Sequence, residues 1–246
     1  FWQNTAYSSK KIEKFVRDYA IPMDEFEAGP FSSFNAFFIR RFKPGRRSFE
    51  SSPDVLPAPA EARYLAYEKA DAEAGLLVKG VAVSPRQLLG GGNDAVAAPF
   101  VGGPAVIARL CPVDYHRYHY PVAGRTSQAY PVAGKLHSVN PLAIRWDSTV
   151  LLHNERRVSI LETEEFGKLA YVEVGAMGVG RIVQTQDEKR PFQRGDEKGY
   201  FLFGGSTVVL LGEPGRWRPD SDLVERSARG VETLLRLGEG LGKKKQ

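Results

Sequence analysis

The chain has 246 residues, of which 42% are hydrophobic and 26% are charged, and its formal net charge is +5. This balance excludes a disordered chain and fits one large folded domain or two small ones. The single cysteine, Cys111, excludes an intrachain disulfide, and no apolar run approaches the roughly 18 residues of a membrane-spanning helix. A positive excess fits an anionic surface, and the absence of arginine interleaved with aromatic residues argues against nucleic acid.

Two short helices are predicted near the N-terminus. The first follows Ser8-Ser9, after which apolar residues recur at helical spacing at Ile12, Phe15, Val16 and Tyr19. The second begins after Ser32-Ser33, whose hydroxyls can cap it. A basic loop with Pro and Gly then ends the helical region.

The second helix and its basic loop carry a group of aromatic and arginine side chains. They are Phe37, Phe38, Arg40 and Arg41. Such a group can pack as core, or it can lie at a membrane interface with its arginines toward lipid phosphates. We expect core packing of the phenylalanines to be favoured, and the group as a whole is the candidate contact with lipid or substrate.

From Pro57 onward the pattern changes to short β-like runs interrupted by Gly and Pro. The clearest runs are 63–67, 105–110, 169–174 and 181–183, and a short helix capped by Ser84 separates the first two. Residues 220–237 return to a helical pattern. We predict an α+β fold, with a mostly-β sandwich or barrel-like core, N-terminal helices and a C-terminal helix. The predicted division is a helical segment 1–56, which can associate with a membrane, and a β-rich catalytic domain 57–246.

Residues 204–207, Gly-Gly-Ser-Thr, interrupt a strand pattern that includes 200–203 and 208–211. Glycine weakens a strand and usually marks a bulge or a close backbone approach. One interpretation is a bulged strand with a surface serine. The other is that the Ser206 hydroxyl attacks the carbonyl of Gly205, which would cut the chain into residues 1–205 and 206–246.

Residues 112–124 contain two of the four histidines, His116 and His119, and Asp114 lies two positions before the first. Histidine is the natural acceptor of a hydroxyl proton near neutral pH, and a carboxylate can orient it. The two rings would face opposite sides of an extended strand but could converge in a turn. Alternatively, both are satisfied by backbone partners. No metal site is predicted, because no metal-ligand motif is present.

Eight segments of the chain form an ordered set. They are 34–45, 79–80, 84–90, 114–119, 138–141, 154–157, 174–180 and 205–208. Each segment is weak alone, but together and in this order they resemble the phosphatidylserine decarboxylase family. The resemblance runs nearly end to end. It implies a self-cleaving, pyruvoyl-dependent carboxy-lyase that converts phosphatidylserine to phosphatidylethanolamine.

The resemblance also implies roles for individual residues. Cleavage between Gly205 and Ser206 would turn Ser206 into a covalent pyruvoyl group, which serves as the electron sink for decarboxylation. His119 would be the base that activates Ser206, and His116 would assist decarboxylation or deliver a proton. The remaining two histidines, His137 and His153, are expected to be structural or surface residues.

The sequence departs from the family pattern at Glu61, where the family usually has an Asp that orients the base. Glutamate is one methylene longer, and a displacement of about 1 Å can cost roughly 100-fold in rate. Asp114 could share or take over the orienting role. Gly204 is a second departure, since a larger apolar residue is more usual there.

Three functions remain open at this point. The first is a phosphatidylserine decarboxylase, the second a decarboxylase of a free amino acid, and the third, suggested by Glu61, an uncleaved lipid-binding pseudoenzyme. The expected partners are a phospholipid membrane surface, phosphatidylserine and the second cleaved fragment, and the resemblance is compatible with a homodimer. We expect peripheral membrane association. Because the chain begins at Phe1 rather than Met, we also expect an upstream segment, so the compartment is not predicted.

Overall fold

The structure is a computed structural model that describes residues 2–70, 76–78, 81–92, 94–135, 150–175, 181–204 and 206–245. Its α-helices are α1 (Ile12–Asp18), α2 (Phe34–Phe38), α3 (Pro85–Leu88), α4 (Asp94–Ala97), α5 (Val150–His153) and α6 (Ser221–Ala228). Four 3-10 turns lie at Trp2–Asn4, Ala6–Lys11, Met23–Glu25 and Ala98–Phe100.

The strands form four antiparallel groups. They are β1 (Val55–Pro57), β2 (Ala62–Tyr67), β3 (Leu76–Val78), β4 (Val81–Val83), β5 (Ala105–Leu110), β6 (Arg117–His119), β7 (Gly124–Val132), β8 (Arg156–Thr163), β9 (Gly167–Val174), β10 (Ile182–Gln184), β11 (Glu197–Phe201), β12 (Ser206–Gly212), β13 (Trp217–Pro219), β14 (Thr233–Leu235) and β15 (Gly240–Lys244). The largest sheet has the order β14-β2-β5-β12-β9-β8-β7. Two three-stranded sheets, β10-β11-β6 and β1-β15-β13, and the β3-β4 pair complete the set.

Strand β12 lies at the centre of the seven-stranded sheet, and all seven of its residues are buried. Successive side chains of a strand point to opposite faces. Accordingly, Val208 and Leu210 belong to one core cluster, which also contains side chains of the smaller sheets, while Val209 and Leu211 belong to another that contains side chains of α3 and α4. A strand covered on both faces reads as a continuous apolar run, which is the pattern that the sequence shows here.

The N-terminal helices pack on a third core cluster, which is rich in phenylalanine. Helix α1 confirms the first predicted helix, and α2 confirms the second, with the Ser33 side chain accepting a hydrogen bond from the Ala36 amide. Tyr115 and Leu237 belong to the same cluster, so the helices pack directly on the β-rich part of the chain. The predicted α+β fold with a mostly-β core is confirmed. The division at residue 56 stays a prediction.

The predicted C-terminal helix is shorter than expected. Helix α6 ends at Ala228, and the rest of the predicted span contains strand β14, which pairs with β2. Gly230 has a φ of +71°, a left-handed conformation that favours glycine and ends helices. The apolar residues that follow belong to an edge strand. The sequence pattern did not reveal this, because alternation along a strand and periodicity along a helix are hard to distinguish over a few positions.

Candidate active site

Ser206 is the first residue of β12, and its side chain is completely buried. It pairs with Leu110 of β5 and lies on the same face of the sheet as Val208, toward the smaller sheets. Strand β11, which precedes it, belongs to a different sheet. Gly204 therefore lies between strands of two different sheets rather than within one strand. Gly204 has a φ of +153°, which glycine adopts readily and other residues do not. Gly205 lies outside the described residues, as do His137 and the segments 79–80 and 138–141.

His116 is the histidine that contacts Ser206. Its Nδ1 lies 3.0 Å from the Ser206 Oγ, and its Nε2 lies 2.9 Å from the carbonyl oxygen of Cys111. A carbonyl oxygen can only accept, so Nε2 carries the proton and Nδ1 presents a lone pair to the serine hydroxyl. This arrangement orients a neutral imidazole to accept the hydroxyl proton.

The environment of His116 keeps the ring neutral. Its side chain is fully buried, and the ring of Phe38 stacks on it with 3.7 Å between the ring centroids. Burial, and then the positive charge of Arg40, lower the pKa of His116 to about 3. At neutral pH the ring therefore has a free nitrogen with which to accept a proton, although its low basicity favours a slow reaction.

Asp114 supports His116 indirectly. One of its carboxylate oxygens, Oδ2, accepts hydrogen bonds from the Cys111 amide and from Arg63 Nη1, each at 2.7 Å. The first of these bonds closes a turn that presents the Cys111 carbonyl to His116 Nε2. Burial raises the pKa of Asp114 above its ordinary value, and its bonds to Cys111 and Arg63 oppose this shift. Asp114 and His116 thus both bind the backbone of Cys111, and no direct contact between the two side chains is found among those described.

His119 lies in a separate environment. Its Nδ1 is 2.8 Å from the Gly195 carbonyl oxygen, and its Nε2 is 3.4 Å from the Tyr115 hydroxyl. By the same argument as for His116, Nδ1 donates and Nε2 accepts. Burial lowers the pKa of His119 as well. Among the described residues no contact joins His119 to Ser206, and the histidine that contacts Ser206 is His116.

Glu61 pairs with Arg47 rather than with a histidine. Its two carboxylate oxygens accept from Arg47 Nε at 2.6 Å and from Arg47 Nη2 at 2.8 Å, and Arg47 also binds Glu25. Glu61 Oε2 lies 3.3 Å from the Leu237 amide as well. The described contacts therefore make Glu61 part of an ion-pair group that joins the N-terminal segment to the β-rich part, and they do not bring it to His119.

The side chains expected to contact lipid are mostly inside the protein. Phe37 and Phe38 are fully buried, and only 2% of Arg40 is exposed. The Arg40 guanidinium lies over the rings of Phe26 and Phe37 and donates to the Val113 carbonyl at 2.9 Å. Phe37 and Phe38 therefore pack in the core, as favoured from the sequence, and Arg40 packs with them, so these three side chains do not form an exposed lipid-facing surface.

Arg41 is the member of that group that reaches solvent, with 55% of its side chain exposed and a 3.5 Å contact to Glu197. The exposed aromatic residues of this region lie instead in the N-terminal turns and directly after α1, at Trp2, Tyr7 and Tyr19. Lysines stand over two of these rings, Lys11 over Trp2 and Lys10 over Tyr7. Sequence reasoning missed this surface, although its aromatic and lysine residues were the available signal.

The described residues contain neither a candidate metal site nor a candidate membrane-spanning helix. No group of three or more His, Cys, Asp or Glu side chains within the described ranges could hold a metal ion. Over the same ranges, no helix is long and apolar enough to cross a membrane. His153 is the last residue of α5, is exposed, and has interaction partners.

Comparison with known proteins identifies the family. The model of the phosphatidylserine decarboxylase family matches residues 34–243. The chain is 39% identical over 249 residues to a phosphatidylserine decarboxylase proenzyme of Clostridium kluyveri, covering 100% of this chain and 83% of that protein. It is 39% identical over 243 residues to the proenzyme of Chlamydia pneumoniae, covering 98% of this chain and 80% of that protein.

A longer relative is also similar. Phosphatidylserine decarboxylase proenzyme 3 of Schizosaccharomyces pombe is 43% identical over 241 residues, which cover 96% of this chain but 25% of the yeast protein. The chain thus spans a quarter of the yeast relative and about four-fifths of the bacterial ones. These matches confirm the resemblance drawn from the eight segments. The chain belongs to the phosphatidylserine decarboxylase family and is a carboxy-lyase of that family.

Proposed function

We propose that this chain is a proenzyme that cuts itself between Gly205 and Ser206, converts Ser206 into a pyruvoyl group, and then decarboxylates phosphatidylserine. The observation that carries the proposal is the 3.0 Å pair between Ser206 Oγ and the unprotonated Nδ1 of His116. A buried serine beside an oriented neutral imidazole is the arrangement of an activated nucleophile.

The proposed cleavage begins when Ser206 Oγ attacks the carbonyl carbon of Gly205 and His116 Nδ1 takes the hydroxyl proton. The peptide C–N bond breaks, the nitrogen of Ser206 gains a proton, and an ester replaces the amide. Loss of the Cα proton then expels the Gly205 carboxylate and leaves dehydroalanine at position 206. Tautomerisation and attack of one water release ammonia and leave a ketone.

In the proposed reaction His116 takes the role of base that was expected of His119, and it keeps its expected role in proton delivery. His116 acts on Ser206 because it touches the hydroxyl, whereas His119 is engaged with Gly195 and Tyr115. Asp114, rather than Glu61, supplies the orienting carboxylate, through the Cys111 amide. Glu61 therefore does not need to replace the usual Asp for His116 to be correctly oriented.

The residues around position 206 fit a pyruvoyl group. The position is buried at the end of a central strand, His116 faces it, and the Phe38 ring excludes water from the far side of the imidazole. When formed, the group supplies an electron sink for decarboxylation. His116 remains positioned to hold or deliver a proton at this end of the strand.

A lipid substrate is supported by the surface next to the site. A cavity of about 710 Å³ is lined by Trp2, Gln3, Lys11, Lys14, Phe15, Asp18, Tyr19, Phe34 and Phe203. Its aromatic side chains suit acyl chains and its lysines suit a phosphate, which is the composition of an interfacial surface. Phe203 lies three residues before Ser206, so this cavity approaches the proposed cut. We therefore propose peripheral membrane association through this N-terminal surface, in place of Arg40, Phe37 and Phe38.

The test follows the full chain and its Ser206→Ala variant by denaturing electrophoresis and intact mass. We expect the wild-type chain to yield two fragments, with a pyruvoyl-blocked start at position 206, and the variant to stay whole. The fragments should copurify because β12 lies between β5 and β9 of the long fragment. A wild-type chain that stays intact on incubation would contradict the proposal and favour the pseudoenzyme.

Substrate choice needs a second assay on the processed protein. Phosphatidylserine vesicles, free serine and free tryptophan are compared by release of carbon dioxide. We expect turnover of the vesicle-borne lipid and little turnover of either amino acid. Preference for a free amino acid would overturn the lipid assignment without affecting the cleavage proposal. A native-mass measurement on the same sample tests for the homodimer with which the family resemblance is compatible.

A further inference from the structure

Asn35 of α2 links two parts of the chain through a buried side-chain amide. Its Oδ1 accepts a hydrogen bond from the Phe203 backbone amide at 2.7 Å, and its Nδ2 donates to Asn4 Oδ1 at 2.6 Å. A backbone amide can only donate, so the Phe203 contact fixes which way the Asn35 amide faces. Only 3% of Asn35 is exposed.

The segment held by Asn35 leads directly to the proposed cut. The backbone amides of Phe201 and Leu202 bind the His116 and Arg181 carbonyls at 2.9 and 3.1 Å. Asn35 holds the next amide, that of Phe203, and from Ser206 onward the chain is fixed by pairing in the central sheet. Among the described residues, the last backbone hydrogen bond before the scissile peptide is therefore the one from the Phe203 amide to Asn35 of α2.

The same helix also contacts the proposed base. The Phe203 ring packs against Phe34 and Phe38, with centroid distances of 5.2 and 5.1 Å. Phe38 in turn stacks on His116. Helix α2 thus touches both the acyl side of the scissile bond and the imidazole that faces its serine.

We propose that Asn35 is a positioning residue for self-cleavage, which holds the backbone of Phe203, three residues before Ser206, and so favours attack by the Ser206 hydroxyl on the peptide bond that precedes it. This inference rests on the proposed self-cleavage. Asn35 acts through the backbone of Phe203 and does not touch the reacting atoms. Its contribution is geometric, because a small misplacement of reacting groups is enough to slow an intramolecular attack by about 100-fold.

The experiment measures the rate at which newly translated full chain converts into two fragments. Asn35→Leu keeps most of the volume and removes both hydrogen bonds, so we expect cleavage at least roughly tenfold slower. Asn35→Asp keeps the acceptor for Phe203, and the amide of exposed Asn4 can turn to donate to it, so this variant should cleave within a few-fold of wild type.

A matched control is Ser227→Ala. Ser227 Oγ likewise accepts a hydrogen bond from a backbone amide, that of Ala66 at 2.8 Å, but α6 is not part of the site. This variant should lose stability and still cleave at the wild-type rate. Circular dichroism establishes that each variant is folded, and Asn35→Ala replaces Asn35→Leu if the latter does not fold.

Hydroxylamine separates the steps. It cuts an ester at position 206, and therefore releases fragments from any chain that has completed the acyl shift. If Asn35 positions that shift, hydroxylamine should not restore the release rate of Asn35→Leu. Restoration to the wild-type rate, or wild-type cleavage in a folded variant that lacks the amide, would overturn the inference. A wild-type chain that never cleaves would instead overturn the proposed function.

Discussion

The burial of His116 predicts a specific loss of stability at mildly acidic pH. The folded ring, with its pKa lowered to about 3, stays unprotonated at pH 5, whereas the unfolded ring has its ordinary pKa of about 6.5. The unfolded state therefore binds the extra proton. Stability contributed by this group is present above pH 6.5 and is lost as the pH falls. Between pH 7.5 and 5.0 the loss from His116 alone is about 2 kcal/mol.

The assay is urea unfolding of the uncleavable Ser206→Ala chain at both pH values, compared with the same chain carrying His116→Gln. The double variant lacks the titrating ring. Between pH 7.5 and 5.0 it should therefore lose about 2 kcal/mol less stability than the chain that carries only Ser206→Ala, a difference of roughly 4–8 °C in melting temperature. Taking the difference removes other titrating groups, including Glu173, whose pKa is raised by burial and acts in the opposite direction. Equal pH dependence in the two chains would refute the reasoning and place His116 in contact with solvent.

Three further predictions follow from single contacts. His116→Asn should slow self-cleavage by roughly 100-fold or more, which is the range for loss of a general base, whereas His119→Asn should slow it by less than tenfold. If a cleavage gel shows the larger effect for His119→Asn, His119 is the base. Glu61→Gln should lower the free energy of unfolding by about 1–3 kcal/mol, because it breaks the charged pair with Arg47, yet it should leave the cleavage rate near normal. A folded Glu61→Gln variant that does not cleave would show that Glu61 is needed for cleavage. Lys198→Met should lower the free energy of unfolding by roughly 3–5 kcal/mol, since its partner Glu173 would stay buried without a cation. An unchanged midpoint of urea unfolding would show that the Glu173 carboxyl is already protonated.

The fold was predictable where local pattern and tertiary environment agree. The β-like apolar run at 105–110 and the cap at Ser84 needed no knowledge of distant partners, and both are present as expected. The end of the C-terminal helix was not predictable in this way. The edge-strand character of Thr233–Leu235 depends on its pairing with β2, a contact made across more than half of the chain.

The sequence singles out candidate site residues but not their contacts. Ser206, both histidines and Asp114 are candidates because few other residues near the motif can perform the chemistry. The sequence does not reveal that Asp114 accepts a hydrogen bond from the Cys111 amide, because spacing in sequence does not show which atom a carboxylate will reach. Arg40 illustrates the same limit. An arginine beside aromatic residues predicts a surface, and three-dimensional packing instead places it over Phe26 and Phe37 in the core.

The position of β12 between β5 and β9 has a consequence for how the protein can recover from denaturation. Before the proposed cut, this strand finds its place within one covalent molecule, so renaturation is unimolecular and independent of concentration. After the cut, the same strand belongs to a separate short peptide that must enter the middle of a sheet and pair on both sides with strands of the long fragment, β5 and β9. Renaturation then becomes bimolecular, and a diluted, denatured sample of processed enzyme should stay inactive while the uncleavable chain refolds.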